Sequence, residues 1–331
     1  MDENFYNPHQ PKLTVETISK LKSLVTISTS YNRDMTDFWK TKLEEHVSTQ
    51  SSLGTLKSFP AIFDLVTAAM EKPMHSLPAF LWNYDLQTNM EEEQLGKIVQ
   101  FVLTNFVGKC NRPRIFQSKS ERTFWIDRVI PIFQAVGDQA GLVGYEWCET
   151  NPGSYTESTI EQDTWKRGPL RNVDGLGYTD VGTDVIVMEA SSGQTNEDLV
   201  HTKDDTLKNI HGSICILEAY LRQCPDARFI TATNLLAFSV QSVCTAITLS
   251  TTCLDPNYPG KYIHQECRMA EIPMNYDERV KWLKVFELVS YLVVMLRKQT
   301  LIIHQLQREN SGMVSVDSDE TVRYMLSNMK Q

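Results

Sequence analysis

The chain is short of the features that would fix its class at a glance. Its seven cysteines, Cys110, Cys148, Cys215, Cys224, Cys244, Cys253 and Cys267, include no C-x-x-C pair. That excludes a disulfide framework or a cysteine zinc site and points to reduced thiols. Its seven histidines (His9, His46, His75, His201, His211, His264 and His304) form no H-x-x-x-H or H-E-x-x-H pair, so no zinc-protease helix is present. Ser191-Ser192-Gly193 lies outside any G-x-S-x-G elbow, and Gly175-Leu-Gly177 does not extend to G-x-G-x-x-G. Positive charge is scarce too: 32 Lys and Arg face 41 Asp and Glu, a formal net charge of −9. A general nucleic-acid coat is thereby excluded, though a local basic groove is not. The longest apolar run, Leu288 to Leu296, contains Ser290 and is flanked by Glu287 and Arg297. It falls far short of the roughly 20 residues a membrane span needs. Residues 1–30 carry no apolar core of signal-peptide length. The expectation is an intracellular protein, nuclear or cytoplasmic, without a membrane partner.

What is there reads as an ordinary globular chain, 41% hydrophobic and 22% charged over 331 residues. That length suits one large domain or two. Residues 1–115 read as a helical region. Val15–Val25 and Thr36–His46 are amphipathic or charged helices, a third begins around Ser58 with Pro60 near its start, and Glu91–Val107 presents one apolar face. At residue 109 the character changes. Lys109, Arg112, Arg114, Lys119 and Arg122 form the densest basic stretch, either a solvated linker or a phosphate-contacting edge. Ser118 and Glu121 make a capping box for a helix over 119–136, which Pro131 should kink or split.

Strands are expected at Leu142–Glu149, Arg171–Gly175 and Asp184–Ser191, with loop over Tyr155–Pro169. A helix follows from Thr202 or Lys203 to Arg222, then a hairpin from Phe238–Ser250 and Tyr262–Ile272 around the turn Asp255–Gly260, then a helix over Asp277–Arg308. The order predicts an α/β (α+β) fold, a mixed central sheet flanked by helices over 116–310, followed by a polar tail at 311–331.

Within that order one acidic pair stands out. On the Asp184–Ser191 strand, Val185, Val187, Glu189 and Ser191 share one face, and both faces are apolar until Glu189. A carboxylate there needs solvent or a partner. Asp174, closing the preceding strand, could be brought beside it. Two close carboxylates repel, and a divalent cation relieves the repulsion; hard oxygen ligands suit magnesium. The competing reading is a salt bridge from Glu189 to an arginine such as Arg171, with Asp174 filling an Asp-Gly turn.

Residues 118–308 resemble the PD-(D/E)XK restriction-endonuclease-like superfamily, in the divergent form of expanded fungal families. The resemblance rests on Ser120–Phe133, Arg171–Gly175, Val187–Gly193, His201–Lys208 and Phe286–Tyr291. It implies a restriction-endonuclease-like core, magnesium as cofactor, and DNA or RNA as partner. It makes Asp174 and Glu189 the metal ligands with the carbonyl of Ala190 beside them, and Glu121 the auxiliary acid. The lysine that would activate water falls on Ser191, which has no charge to stabilise hydroxide. Some members supply that lysine from the following helix, where this chain has Lys203 and Lys208. The resemblance thus leaves open a magnesium-dependent endonuclease, a nucleic-acid binder with a degenerate site, or a protein-interaction and assembly module on the same fold.

Overall fold

The computed structural model describes residues 52–113 except 87, residues 120–192 except 161, 162, 164 and 165, and residues 197–327, together with residue 48 and a short strand at 25–27. The helix expected at 36–46 lies outside the described residues, as do Arg114, Ser118 and Lys119. So does the helix expected at 15–25, except that Val25 opens a strand.

In chain order the elements are β1 (Val25–Ile27), α1 (Gly54–Lys57), α2 (Pro60–Met70), α3 (Leu77–Asn83), α4 (Met90–Cys110), α5 (Glu121–Phe124), a π-helical turn (Trp125–Val129) and α6 (Ile130–Ala140). Then come β2 (Gly144–Thr150), α7 (Gly153–Ser158), β3 (Val173–Tyr178), β4 (Asp184–Ser191), α8 (Leu199–Gln223) and α9 (Phe229–Ala232). β5 (Ala237–Val243), β6 (Ala246–Leu254), β7 (Tyr262–Glu271), α10 (Trp282–Asn310) and α11 (Val322–Ser327) complete the fold.

One mixed seven-stranded sheet runs β1-β7-β6-β5-β4-β3-β2. β4 and β5 are parallel and joined through α8, while β2-β3-β4 and β5-β6-β7 are antiparallel. The expected class, a mixed sheet flanked by helices, is the observed one. Three boundaries differ. Phe238–Ser250 is two strands, because the chain reverses at Cys244, whose φ of 51° is left-handed. The helix expected over 119–136 is interrupted by the π turn at Trp125–Val129 just before Pro131, and then continues past Val136 to Ala140. The segment read as loop from Tyr155 starts inside a short helix, α7.

The sheet is buried on both faces. Ile186, Met188 and Ala190 of β4 pack into a cluster with α2, α4, α6 and the first half of α10. Val187 packs on the other face with Ile210, Ile214 and Leu217 of α8, whereas Val185 joins the first cluster. Asp198 caps α8, accepting the N–H groups of Val200 (3.0 Å) and His201 (3.2 Å), so the helix starts three residues before the expected Thr202. Gly212 lets α8 lie on β4: a Cβ there would sit 3.2 Å from a Val187 methyl. That close approach is what brings the first turns of α8 to the end of β4. Among the described residues no helix is long and apolar enough to cross a membrane.

Candidate functional site

The site forms where β3 begins, β4 ends and α8 starts. The β3–β4 ladder pairs Gly175 with Met188 and Leu176 with Val187. One step further, the same register sets Asp174 across from Glu189, and residues directly opposed in an antiparallel pair share a face. Asp174 is therefore the second residue of β3 and does not fill an Asp-Gly turn, because the strand continues through Gly175 to Tyr178. Asp174 Oδ2 accepts the Ala190 N–H at 2.9 Å, and its own carbonyl accepts from Trp125 Nε1 at 3.3 Å. So Ala190, expected to lend a carbonyl, holds the aspartate through its backbone nitrogen. Glu189 is 1% exposed, and its Oε1 is buried without a hydrogen-bond partner.

Burial is the main force on both acids. It pushes the Asp174 carboxyl up, against the Ala190 N–H and the Arg122 charge, which pull it down. Glu189 is pushed well above the carboxylate range by burial first and by the Asp174 charge second; Lys208 and Arg171 oppose this. A buried pair so arranged holds either a proton or a cation.

Ser191 does not face the pair as a substitute for lysine. Its Oγ donates to Asp205 Oδ2 at 2.7 Å and accepts from Gln241 Nε2 at 3.1 Å. Gln241 is the β5 ladder partner of Glu189. Asp205 is as buried as Glu189, and its Oδ1 accepts from Lys208 Nζ at 2.5 Å. Lys208 is 5% exposed. Burial works against its charge, yet Glu189 and Asp205 together outweigh that and raise its pKa. A cation, Lys208 of α8, is thus present beside these acids. Lys203, the other lysine of that helix, makes no ion pair among the described residues.

Glu121, at the first turn of α5, completes the group. Burial raises it, the nearby His201 lowers it, Asp174 and Asp205 raise it, and the Ser192 N–H lowers it. His201 Nε2 lies 3.3 Å from Asp205 Oδ2. Arg122 is half exposed, 3.9 Å from Asp174 Oδ1 and 3.2 Å from Glu149 Oε1. The backbone around this mouth is strained: Cys148, Glu149 and Ser192 have φ of 66°, 59° and 72°, a region costly for non-glycine residues.

The Arg171 salt bridge is not the arrangement found. Arg171 Nη1 donates to His211 Nδ1 at 2.8 Å, and the guanidinium lies 5.5 Å from the Tyr155 ring centre. Its field reaches Glu189 without an ion pair. In the basic stretch, Lys109 Nζ (2.8 Å) and Arg112 both bind Asp127, leaving Arg122 as the described member that faces the acids.

The structure sets Asp174, Glu189 and Glu121 near one another, with Ser191 beside them but turned to Asp205 and Gln241. It adds Asp205, Gln241 and His201, and of the two lysines available on the following helix it brings in Lys208. An acid at 205 with a lysine at 208 is visible in the sequence, but the pattern reads equally as a solvent-facing helix pair.

Among the described residues no three His, Cys, Asp or Glu side chains form a ready-made metal cage. Two carboxylates, one with an unpartnered buried oxygen, nevertheless fit a magnesium ion, which keeps several waters and commonly takes one or two protein carboxylates. Compared with known proteins, the chain matches no family model, no curated protein and no solved structure.

Proposed function

We propose that this protein is a divergent PD-(D/E)XK-like phosphodiesterase acting on nucleic acid, with magnesium held by Asp174 and Glu189 and with Lys208 in place of the lysine lost at Ser191. The observation that carries this reading is Glu189 itself. A fully buried glutamate with an unpartnered oxygen, beside a second buried carboxyl, is costly for a fold to keep. A site that binds a cation gives it a use.

When bound, magnesium would polarise a phosphodiester and lower the pKa of a water. The chain supplies the remainder. Lys208, anchored by Asp205, places a fixed positive charge beside Glu189, where it can neutralise charge developing on the reacting phosphate. Ser191 and Gln241 fix Asp205 from the other side. Arg122, at the exposed mouth, is placed to meet a substrate phosphate.

A non-catalytic reading has one observation in its favour. Lys208 is already hydrogen-bonded to Asp205, and Ser191 is committed to the same carboxylate, so the network is closed without a ligand. Cleavage decides between them. Incubated with magnesium, the wild-type chain is expected to cut plasmid DNA or a structured RNA, and Asp174→Ala to lose that activity. Equal background from both proteins on both substrates would leave a binding or assembly module as the better reading.

A further inference from the structure

The basic stretch after residue 109 is the sequence feature that the acid site does not absorb, and most of its described charge gathers at a second place. We propose that the cleft between α4, the π turn and the start of α10 is a binding site for one oxygen of a phosphate group. Its lining includes Asn105, Asp127, Arg128, Ile272 and Trp282.

Two N–H donors of that lining, Arg128 Nη1 and Trp282 Nε1, are shielded from solvent and have no hydrogen-bond partner. Trp282 is 3% exposed, edge-on to Phe106 and stacked on Phe286, so its ring is fixed with the donor unused. Leaving two buried donors unmade costs more than their hydrogen bonds would return. Neither donor meets an acceptor in the cleft. The space within it, about 10 Å³, takes one water-sized atom.

Charge decides what kind of atom that is. Asp127 is the sole carboxylate in the lining, and both its oxygens are taken, one by Lys109 Nζ at 2.8 Å and one by Arg112. Arg128 adds a third cation on the same turn, anchored by Nη2 to the Met274 carbonyl at 3.5 Å. Three cations against one carboxylate leave an excess of two positive charges around two idle donors. An anionic oxygen satisfies the donors and the charge together, whereas a water satisfies only the donors. Trp282 and Arg128 would hold the inserted oxygen, while Lys109 and Arg112 would face the rest of the phosphate at the rim.

The site does not depend on the acid cluster being catalytic, but its position suits a shared ligand. Asp127 follows Glu121 by six residues on one helical run, about 9 Å along the axis. That is on the order of two or three phosphates of one strand along a duplex. Free phosphate and a nucleic-acid backbone share this chemistry, and the test separates them.

Thermal unfolding is followed in inorganic phosphate and in sodium chloride of matched ionic strength, without divalent metal. Phosphate is expected to raise the wild-type Tm above the chloride control. Trp282→Phe keeps a ring and removes the donor, and Arg128→Gln removes the charge; each should weaken phosphate affinity about tenfold, as for loss of a charge-assisted hydrogen bond. Asp127→Asn removes the competing carboxylate and should strengthen it by a similar factor, a gain that a destabilised variant would not produce. A labelled single-stranded oligonucleotide displaced by phosphate identifies a nucleic-acid backbone as the source; lack of competition identifies free phosphate. No phosphate effect on the wild-type chain, or equal phosphate affinity in all four proteins, would overturn the proposal and leave the cleft to a buried water.

Discussion

Lys208→Met is expected to lower magnesium-dependent cleavage by about 10²- to 10³-fold, the usual consequence of removing one fixed group that stabilises transition-state charge. The loss should fall on kcat more than on KM, because Lys208 is 5% exposed and would act on the transition state rather than in ground-state binding. Methionine keeps the length of the side chain but leaves Asp205 buried without its cation. Breaking a buried pair from one side costs about 3–5 kcal/mol, so part of the loss could be unfolding. The double variant Asp205→Asn with Lys208→Met removes both charges and should recover most of the stability while staying inactive. Recovery of cleavage along with stability would show that Lys208 only supports the fold. Single-turnover rates and denaturant midpoints on the same preparations distinguish the two outcomes.

The second large effect is on folding. Glu287→Ala should destabilise the protein by about 3–5 kcal/mol, measured by urea unfolding, because it strands a buried guanidinium. Arg268 Nε lies 2.9 Å from Glu287 Oε1, and the guanidinium stacks 4.2 Å from the Tyr291 ring centre. Glu287 also accepts the N–H groups of Thr55 (3.3 Å) and Leu56 (2.7 Å), capping α1. The pair therefore joins β7, α10 and α1. Replacing both partners with leucine and methionine should restore most of the loss, since the two charges then leave together. A Glu287→Ala change of under about 0.5 kcal/mol, the range of an ordinary surface substitution, would show that the junction is not held this way.

These two networks mark what could and could not be read in the sequence. β4 was legible because Asp184–Ser191 is a β-branched run ending in one acid, and its acid is the buried Glu189. The partner Asp174 was legible on a strand, but that strand was cut short at Gly175, because Asp-Gly is a turn dipeptide and nothing local says that Leu176–Tyr178 continue it. β5 was hidden inside a continuous threonine-rich run that reverses at Cys244 without glycine, asparagine or proline to mark it. With β5 unseen, the parallel pairing that sets Gln241 beside Ser191 could not be foreseen. Lys208 was visible as a helix lysine, but its burial depends on Gly212 letting α8 press on Val187, a tertiary contact outside any local pattern. The tie of Arg268 to Glu287 joins residues of β7 and α10, and the bonds of Glu287 to Thr55 and Leu56 span more than 200 positions. Spacing arguments do not reach that far.

That Asp174 and Glu189 form a buried pair made to hold a cation is tested most directly by thermal unfolding against pH, with and without magnesium. The sign follows from the direction of the shifts. Both acids are raised in the folded chain, so their stabilising contribution is complete below the ordinary carboxyl range, near 4.5 for a glutamate, and is lost as pH climbs from there through the raised folded value of Glu189. Without metal, the wild-type Tm should fall over that climb, and Glu189→Gln should fall less. Magnesium should restore the wild-type Tm at the upper end, where the pair is ionised, and leave Asp174→Ala unmoved. A wild-type curve indifferent to magnesium at every pH, or one shifted equally in Asp174→Ala, would contradict the account.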